Sequence, residues 1–277
     1  MEKRMRTMLE AGRECWAYRD LLFNLVARDL KTRYKNSFLG VIWSWLNPLL
    51  MMLVFTFVFK VMRGQGMANF HIFVLSGLLP WNYFSGALLG GIRSLVGNAS
   101  LIKKVYFPRE ILPASLVLSS LVNFLIALPV LFGLAFFSGV HLTAWVLLLP
   151  LPILVETIFT LGIVLLLSTL EVFYRDVHMI MDVVTLAWFF LTPIFYDLHQ
   201  LPATPIFTLF GRPVTAARLV MWLNPMASII NTYQDLIYRG YPTALDFLAR
   251  TAATSVLVFL VGYGIFLKYR GRFGEEL

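Results

Sequence analysis

From Asn36 to Phe59 the chain runs 24 residues without one Asp, Glu, Lys or Arg. An α-helix rises about 1.5 Å per residue, so about 20 apolar residues cross a hydrocarbon core about 30 Å thick. No water is present there to satisfy backbone amides and carbonyls, so a lone segment of this composition must cross as a helix. Just before the run, Leu22, Val26, Leu30 and Tyr34 recur every fourth residue, with Tyr18, Leu21 and Leu25 beside them. Asp20, Asn24, Arg28, Lys31 and Lys35 fall on the opposite side. Residues 17–36 therefore read as an interfacial helix, with Lys and Arg towards anionic lipid headgroups. An interfacial helix feeding a span opens a multispanning protein.

Composition agrees. The chain is 59% hydrophobic and 14% charged, far from the mix of a soluble domain. Its 277 residues hold about six spans with short loops and no further soluble domain of ordinary size. A net charge of +8 would suggest nucleic acid in a soluble protein, but the cations cluster beside apolar runs, so membrane phospholipid is the expected partner. Cys15 is the only cysteine, which excludes an intrachain disulfide and a thiolate metal cluster. The first 35 residues lack an apolar core before a small-residue cleavage site, so no cleaved signal peptide is expected.

The apolar runs predict an all-α integral membrane protein with spans at about 38–60, 70–91, 111–137, 145–170, 179–196 and 251–267. The polar segment 171–178 is a tight turn between the fourth and fifth spans. Residues 198–244 are too apolar for an ordinary loop and too broken to cross. PIFTLFGRPVTAARLVMWLNP holds two short apolar pieces parted by Gly211, Arg212 and Pro213, the length of re-entrant or interfacial segments. With six spans, the side holding both termini carries 17 Lys and Arg against six on the other. The positive-inside rule then places both termini in the cytoplasm.

Reactive constellations are absent. The sequence has no His-Glu-x-x-His, no Gly-x-Ser-x-Gly and no Gly-x-x-x-x-Gly-Lys-Ser/Thr phosphate loop. Its four histidines lie at span ends or in loops, without metal-ligand spacing. Glu156 stands near the midplane of the fourth span, where a charge costs about 3 kcal/mol, so it should face the bundle interior. Two readings are open for it: a residue lining a cavity or gate, or a structural hydrogen bond, for example to Asn123. Asp182, one turn into the fifth span, should reach the interface. Tryptophans and tyrosines at span ends fit an aromatic belt, and some of them could line a passage and stack on sugar rings.

Three stretches resemble one family. RDLKTRYKNSFLGVIWSWLNPLLMMLVF (28–55), EVFYRDVHMIMDVVTLAWFFLTPIFY (171–196) and WLNPMASIINTYQDLIYRG (222–240) are similar to permease subunits of the ABC-2 type, specifically exporters of lipid-linked polysaccharide or teichoic acid. The resemblance covers residues 18–270 in order. It implies one transmembrane domain with an interface helix, six spans and two short re-entrant helices on the outer side before the last span. It also implies a homodimer driven by two copies of a separate ATPase subunit, which would bind Mg-ATP, so this chain needs no cofactor of its own. Arg28, Asp29, Lys31, Arg33 and Tyr34 match the interface helix. Leu101, Lys103, Lys104, Val105, Tyr106, Phe107, Pro108 and Arg109 occupy the coupling segment, with Arg175 and Asp176 in the second cytoplasmic turn. Trp43, Asn47, Glu156, Phe195, Tyr196, Asn224 and Pro225 are the passage or gate candidates.

The reading is a transport subunit in the bacterial plasma membrane that moves a lipid-linked glycan outward and is not itself an enzyme. The alternatives are an ABC-2 exporter of a small hydrophobic compound, a membrane enzyme acting on lipid-linked sugars, and an ion-coupled carrier.

Overall fold

A computed structural model of the chain describes residues 13–35, 39–62, 67–198, 201, 204–209, 212–242 and 245–277. Residues 36–38, at the expected junction of interfacial helix and first span, lie outside that set, as does Gly211 of the Gly-Arg-Pro break. Helix α1 (Arg19–Tyr34) precedes α2 (Trp43–Thr56), which a 3₁₀ turn at Gly40–Ile42 opens and a π-helical turn at Phe57–Met62 closes. Then come α3 (Phe70–Ile92), the short α4 (Ala99–Lys104), α5 (Ile111–Phe137), α6 (Pro150–Phe173) and α7 (Val177–Leu191). A β-hairpin follows, β1 (Pro205–Leu209) and β2 (Arg212–Thr215). Two short helices, α8 (Ala216–Leu223) and α9 (Pro225–Gln234, with a π-helical turn to Arg239), precede α10 (Leu245–Tyr269) and a terminal turn of helix, α11 (Phe273–Glu276).

Five segments are long and apolar enough to cross a membrane: Gly40–Lys60, Phe70–Ile92, Ile111–Phe137, Ala144–Phe173 and Asp246–Glu276. These coincide with five of the six predicted spans. The remaining prediction, 179–196, is shortened to the 15-residue α7. Pro193 is the reason: the residue before a proline is forced out of the helical region. Thr192 is extended accordingly, with φ −102° and ψ 135°.

The region 198–244 also differs from expectation in its first half. Of the two apolar pieces, PIFTLF does not form a re-entrant helix; residues 205–209 pair antiparallel with 212–215, Leu209 opposite Arg212 and Phe207 opposite Val214. Ile206, Phe207 and Thr208 are aromatic or β-branched, and Arg212-Pro213 follows directly, a combination that favours a hairpin over a helix. This hairpin is the one departure from an all-helical chain among the described residues.

Helix α3 is the centre of the bundle: 78% of its most apolar stretch is buried, against 17% in α2. It packs on α2, α5, α6 and α9. Pro80 within α3 and Pro129 within α5 are accommodated without ending either helix, as neighbouring helices allow. The tightest crossing is α6 with α10. A methyl at Gly262 would stand 2.1 Å from the Gly162 carbonyl oxygen, and one at Gly162 would stand 2.6 Å from the Phe259 backbone. Small residues let two backbones approach where hydrophobic driving force is absent. Helix α1 lays Leu25 and Val26 inwards and packs along α5, leaving Asn24, Arg28, Lys31 and Lys35 exposed, as its periodicity predicts.

The aromatics divide into two sets. Trp81, Phe84, Phe159 and Trp188 interlock inside the bundle, with Trp188 edge-on to Phe84 at 5.1 Å between centroids. Trp16, Trp43, Trp45, Trp145 and Trp222 are exposed on the surface.

The α6–α10 crossing yields a test. Gly262→Ala should lower stability by about 1–3 kcal/mol through overpacking, read as a reduced midpoint of thermal aggregation in detergent. Gly97→Ala, where a methyl would meet nothing within 4 Å, should leave that midpoint unchanged.

Candidate functional site

Two regions bring the predicted residues together. At one end of the bundle, segment 101–113 forms a surface braced from beneath. Ile102 and Phe107 are buried in one apolar cluster with Leu95, Ile111, Leu112, Phe266 and Phe273. Val105 and Tyr106 point outward, Tyr106 at 89% exposure, and Lys103 and Lys104 are exposed beside them. The expected apolar plug of Val105, Tyr106 and Phe107 is therefore narrower: Phe107, at 6% exposure, belongs to the chain's own core. Leu101 packs partly against that core and Pro108 is buried. A depression of about 410 Å³ beside Tyr106 is lined by this segment together with Glu14, Arg270 and Gly271.

The C-terminal tail makes the brace. The Arg109 guanidinium donates to the Arg270 carbonyl, and Arg270 Nη1 donates to Glu110 Oε1 at 2.9 Å. Phe273 stands edge-on to Phe266 at 5.2 Å and lies 6.4 Å from Phe173, at the end of α6. Arg272 sits over the Phe173 ring at 5.2 Å. The same tail thus holds segment 101–113 and the turn after α6, where Arg175 and Asp176 are exposed. That turn is closed by Glu171, whose carboxylate accepts from the His178 amide at 2.9 Å and meets His178 Nδ1 at 2.7 Å. Burial, with Glu110 and Glu14 adding, pushes the nearby Cys15 thiol up to about 12, so it is no thiolate nucleophile. The sequence reading missed the brace; its signal was the pair Phe266 and Phe273, two aromatics seven residues apart running into a basic tail.

Between α2, α3 and α5 lies a cleft of about 500 Å³, walled by Trp43, Asn47, Asn82, Tyr83, Asn123 and Phe124, with Arg33 at its α1 side. Arg33 donates to Asp29 Oδ2 at 3.2 Å, and the same carboxylate accepts from Ser119 on α5. Arg28 donates to Asn98 Oδ1 at 3.3 Å, joining α1 to the turn before α4, whereas Lys31 stays exposed. Glu156 is fully buried behind this cleft. Its Oε2 accepts from the Tyr233 hydroxyl on α9 at 2.8 Å, so its partner is Tyr233 and not the Asn123 suggested by the sequence. Tyr83 donates to Thr157 at 3.0 Å and stacks on Phe124, which meets Tyr233 edge-on.

The other passage candidates stand apart from the cleft. Phe195 is buried in a stack with Phe55 and Phe59, at 5.5 and 4.8 Å, and Tyr196 donates to the Leu191 carbonyl. Asn224 is a hub: it accepts from Trp188 Nε1 at 2.8 Å, donates to Thr192 Oγ1 at 2.9 Å, and caps α9 through the Ala227 amide. Pro225 fills the first position of α9, where a missing amide is harmless. At the other end of α9, Arg239 pairs with Asp235 and Asp197 and lies 5.6 Å over the Phe73 ring. That buried cluster also escaped the sequence reading, although Asn231, Asp235 and Arg239 share one helical face by their spacing.

The described residues contain no group of His, Cys, Asp and Glu suited to a metal ion. The chain is thus a bundle with five segments long and apolar enough to cross a membrane, a polar cleft between three helices, and a braced, basic-aromatic surface at one end. Residues 20–238 match the family described as ABC-2 type transporter. The chain belongs to the ABC-2 type transporter family. It is 37% identical over 271 residues to the O-antigen export system permease protein RfbA of Myxococcus xanthus, covering 98% of this chain and 100% of that protein. It is 33% identical to the protein of the same name from Klebsiella pneumoniae, over 93% of this chain and 95% of that one. At 22% identity it matches the polysialic acid transport protein KpsM of Escherichia coli, over 86% of this chain and 90% of that one.

The brace gives a prediction. Phe273→Ala removes a fully buried ring and should destabilise the α4 end by about 3 kcal/mol, seen as a lower thermal midpoint and faster protease cleavage near residue 105. Tyr106→Ala, truncating an exposed ring, should leave both measurements at the wild-type value.

Proposed function

We propose that this chain is the permease subunit of an ATP-driven exporter that moves a lipid-linked polysaccharide, or a teichoic acid polymer of similar chemistry, outward across the bacterial plasma membrane. The observation carrying this reading is the alignment of 271 residues, end to end, with a relative named as an O-antigen export permease. The absence of a phosphate loop from the sequence supports a division of labour in which a separate subunit binds Mg-ATP. Two such subunits would act on a homodimer of this chain. The exposed apolar faces of α2 with its π-helical turn (Leu53, Val54, Phe57) and of α7 (Val183, Leu186, Leu191) are available to a second copy or to lipid.

In this reading α7, extended by residues 192–196, is the fifth of six crossings, and α8 and α9 are the re-entrant helices of the outer side. Both termini, α4 and the 174–176 turn face the cytoplasm, where the 17 Lys and Arg meet anionic lipid and the ATPase. An exposed aromatic with flanking cations suits a groove on a protein partner: the ring supplies affinity and the charges orient the encounter. Because the tail ties segment 101–113 to the turn at 174–176, a push on Tyr106 is delivered to α5, α6 and α10 together. An exporter of small hydrophobic compounds would need no polar cleft at the α2–α3–α5 junction, which favours the glycan.

Orientation is tested by single cysteines in a Cys15→Ser background. Thr204→Cys should react with an impermeant thiol reagent in intact spheroplasts, and Arg272→Cys only after permeabilisation; the reverse pattern would invert the topology.

Coupling is tested by truncation. Tyr106→Ala should weaken co-purification of the ATPase about 30-fold, corresponding to about 2 kcal/mol for an interface anchor, while Lys103→Glu should act less and lose its effect in high salt. Full complex yield and full coupled ATP hydrolysis in Tyr106→Ala would contradict the assignment.

A further inference from the structure

The cleft between α2, α3 and α5 has a composition unusual for the surface of an apolar bundle, and it opens outward at Trp43 and Asn47, which are exposed. Asn47, Asn82 and Asn123 from three different helices face one space, and Ser44, Ser85 and Ser120 line it with them. Asn123 stands twelve residues into α5, about 18 Å along that helix, whereas Asn47 is near the start of α2. Trp45, two residues before Asn47, donates to the Ile126 carbonyl at 3.0 Å, so the start of α2 stands level with the middle of α5 and the amides face one another there. Ser120 is only 4% exposed, and its hydroxyl oxygen has no hydrogen-bond partner among the described residues. An unpaired hydroxyl in an apolar medium is costly, so Ser120 favours a polar occupant of the cleft.

Its chemistry narrows the occupant. Amides and hydroxyls each donate and accept, which complements the hydroxyls of a sugar ring, themselves both donors and acceptors. An anion would call for cations, and Arg33, the one Lys or Arg among the described lining residues, is already paired with Asp29. Trp43, Tyr83 and Phe124 supply flat apolar walls of the kind on which the C–H faces of sugars rest. The volume of about 500 Å³ lies within the range of small-ligand pockets. The floor is stiff: Tyr83 and Phe124 stack at 5.7 Å, Tyr83 is held by Thr157, and Tyr233, edge-on to Phe124, is held by Glu156.

We propose that this cleft is a saccharide-binding site, in which Asn47, Asn82, Asn123 and Ser120 hydrogen-bond uncharged sugar units of the exported polymer while Trp43 and Phe124 bound them. The proposal rests on the export reading given above and goes further by assigning the residues that grip the glycan. Glu156 is a positioning residue that fixes the floor through Tyr233.

The experiment uses the full chain with its ATPase in cells that make the polymer. A photoreactive benzophenone amino acid replaces Leu89, at the cleft wall, or Leu154, exposed on α6 away from it. Illumination should shift the Leu89-substituted protein into a high-mass smear that collapses on periodate oxidation and is absent when glycan synthesis is blocked. The Leu154-substituted protein should give no such smear. Asn82→Leu and Asn123→Leu should each lower surface polysaccharide at least tenfold with unchanged complex yield, and Ser120→Ala should lower it about threefold. A discrete band of two crosslinked permeases from Leu89, or no periodate-sensitive smear in cells whose export is intact, overturns the site and assigns the cleft to protomer packing. Undiminished surface polysaccharide in a strain deleted for this chain overturns the export reading, and the site with it.

Discussion

Where water is absent, an unpaired polar group is costly, and between the two ends of the bundle this chain joins its helices largely through small residues, hydroxyls and amides, with its ion pairs at the ends. Gly162 and Gly262 bring α6 and α10 into backbone contact. Thr251 on α10 donates to Ser228 on α9 at 2.9 Å, and Tyr233 on the same helix closes on Glu156 of α6. Asn224 ties the end of α7 to the start of α9 through Trp188 and Thr192. The short helix α9 thereby becomes the piece on which α3, α6 and α10 converge, which explains why nearly all of it is buried.

The two ends of the bundle are held differently. At the α9 end, Arg239 pairs with two carboxylates and an aromatic face, fixing the residues after α7 to the turn after α9. At the α4 end, aromatic rings and the Arg270–Glu110 pair lock segment 101–113 to the C-terminal tail. Only Val105, Tyr106 and the neighbouring lysines remain free of that core. A partner pressing there meets a stiff lever, since the residues on either side, Ile102 and Phe107, are anchored. On the proposed reading, that stiffness is what transmits the ATPase stroke.

Much of the architecture was legible because hydropathy is a one-dimensional signal. Charge-free runs placed five long helices, with ends that differ by up to about six residues, and the four-residue period of Leu22, Val26 and Leu30 placed α1. The expected fifth span ran past Leu191 because hydropathy does not register the backbone restriction imposed by Pro193. The hairpin at 205–215 was hidden by the same blindness, since an apolar strand and an apolar helix have equal hydropathy. Site residues were harder. Trp43 and Asn47 do share a cleft, but its other amides, Asn82 and Asn123, come from helices 35 and 76 residues further along the chain, and only packing brings them together. Phe107 was indistinguishable from Tyr106 by sequence, because which ring points out depends on the tail that lies beneath.

The central claim is that this chain is a passive conduit driven from the α4 end. Reconstitution in liposomes tests it most directly, following protection of a lipid-linked polysaccharide from an external glycosidase. The account predicts that polymer moves across the bilayer only when the ATPase subunit and Mg-ATP are both present, and that it stops when hydrolysis is blocked. Movement at the same rate by the permease alone, or under an ion gradient without nucleotide, would contradict it.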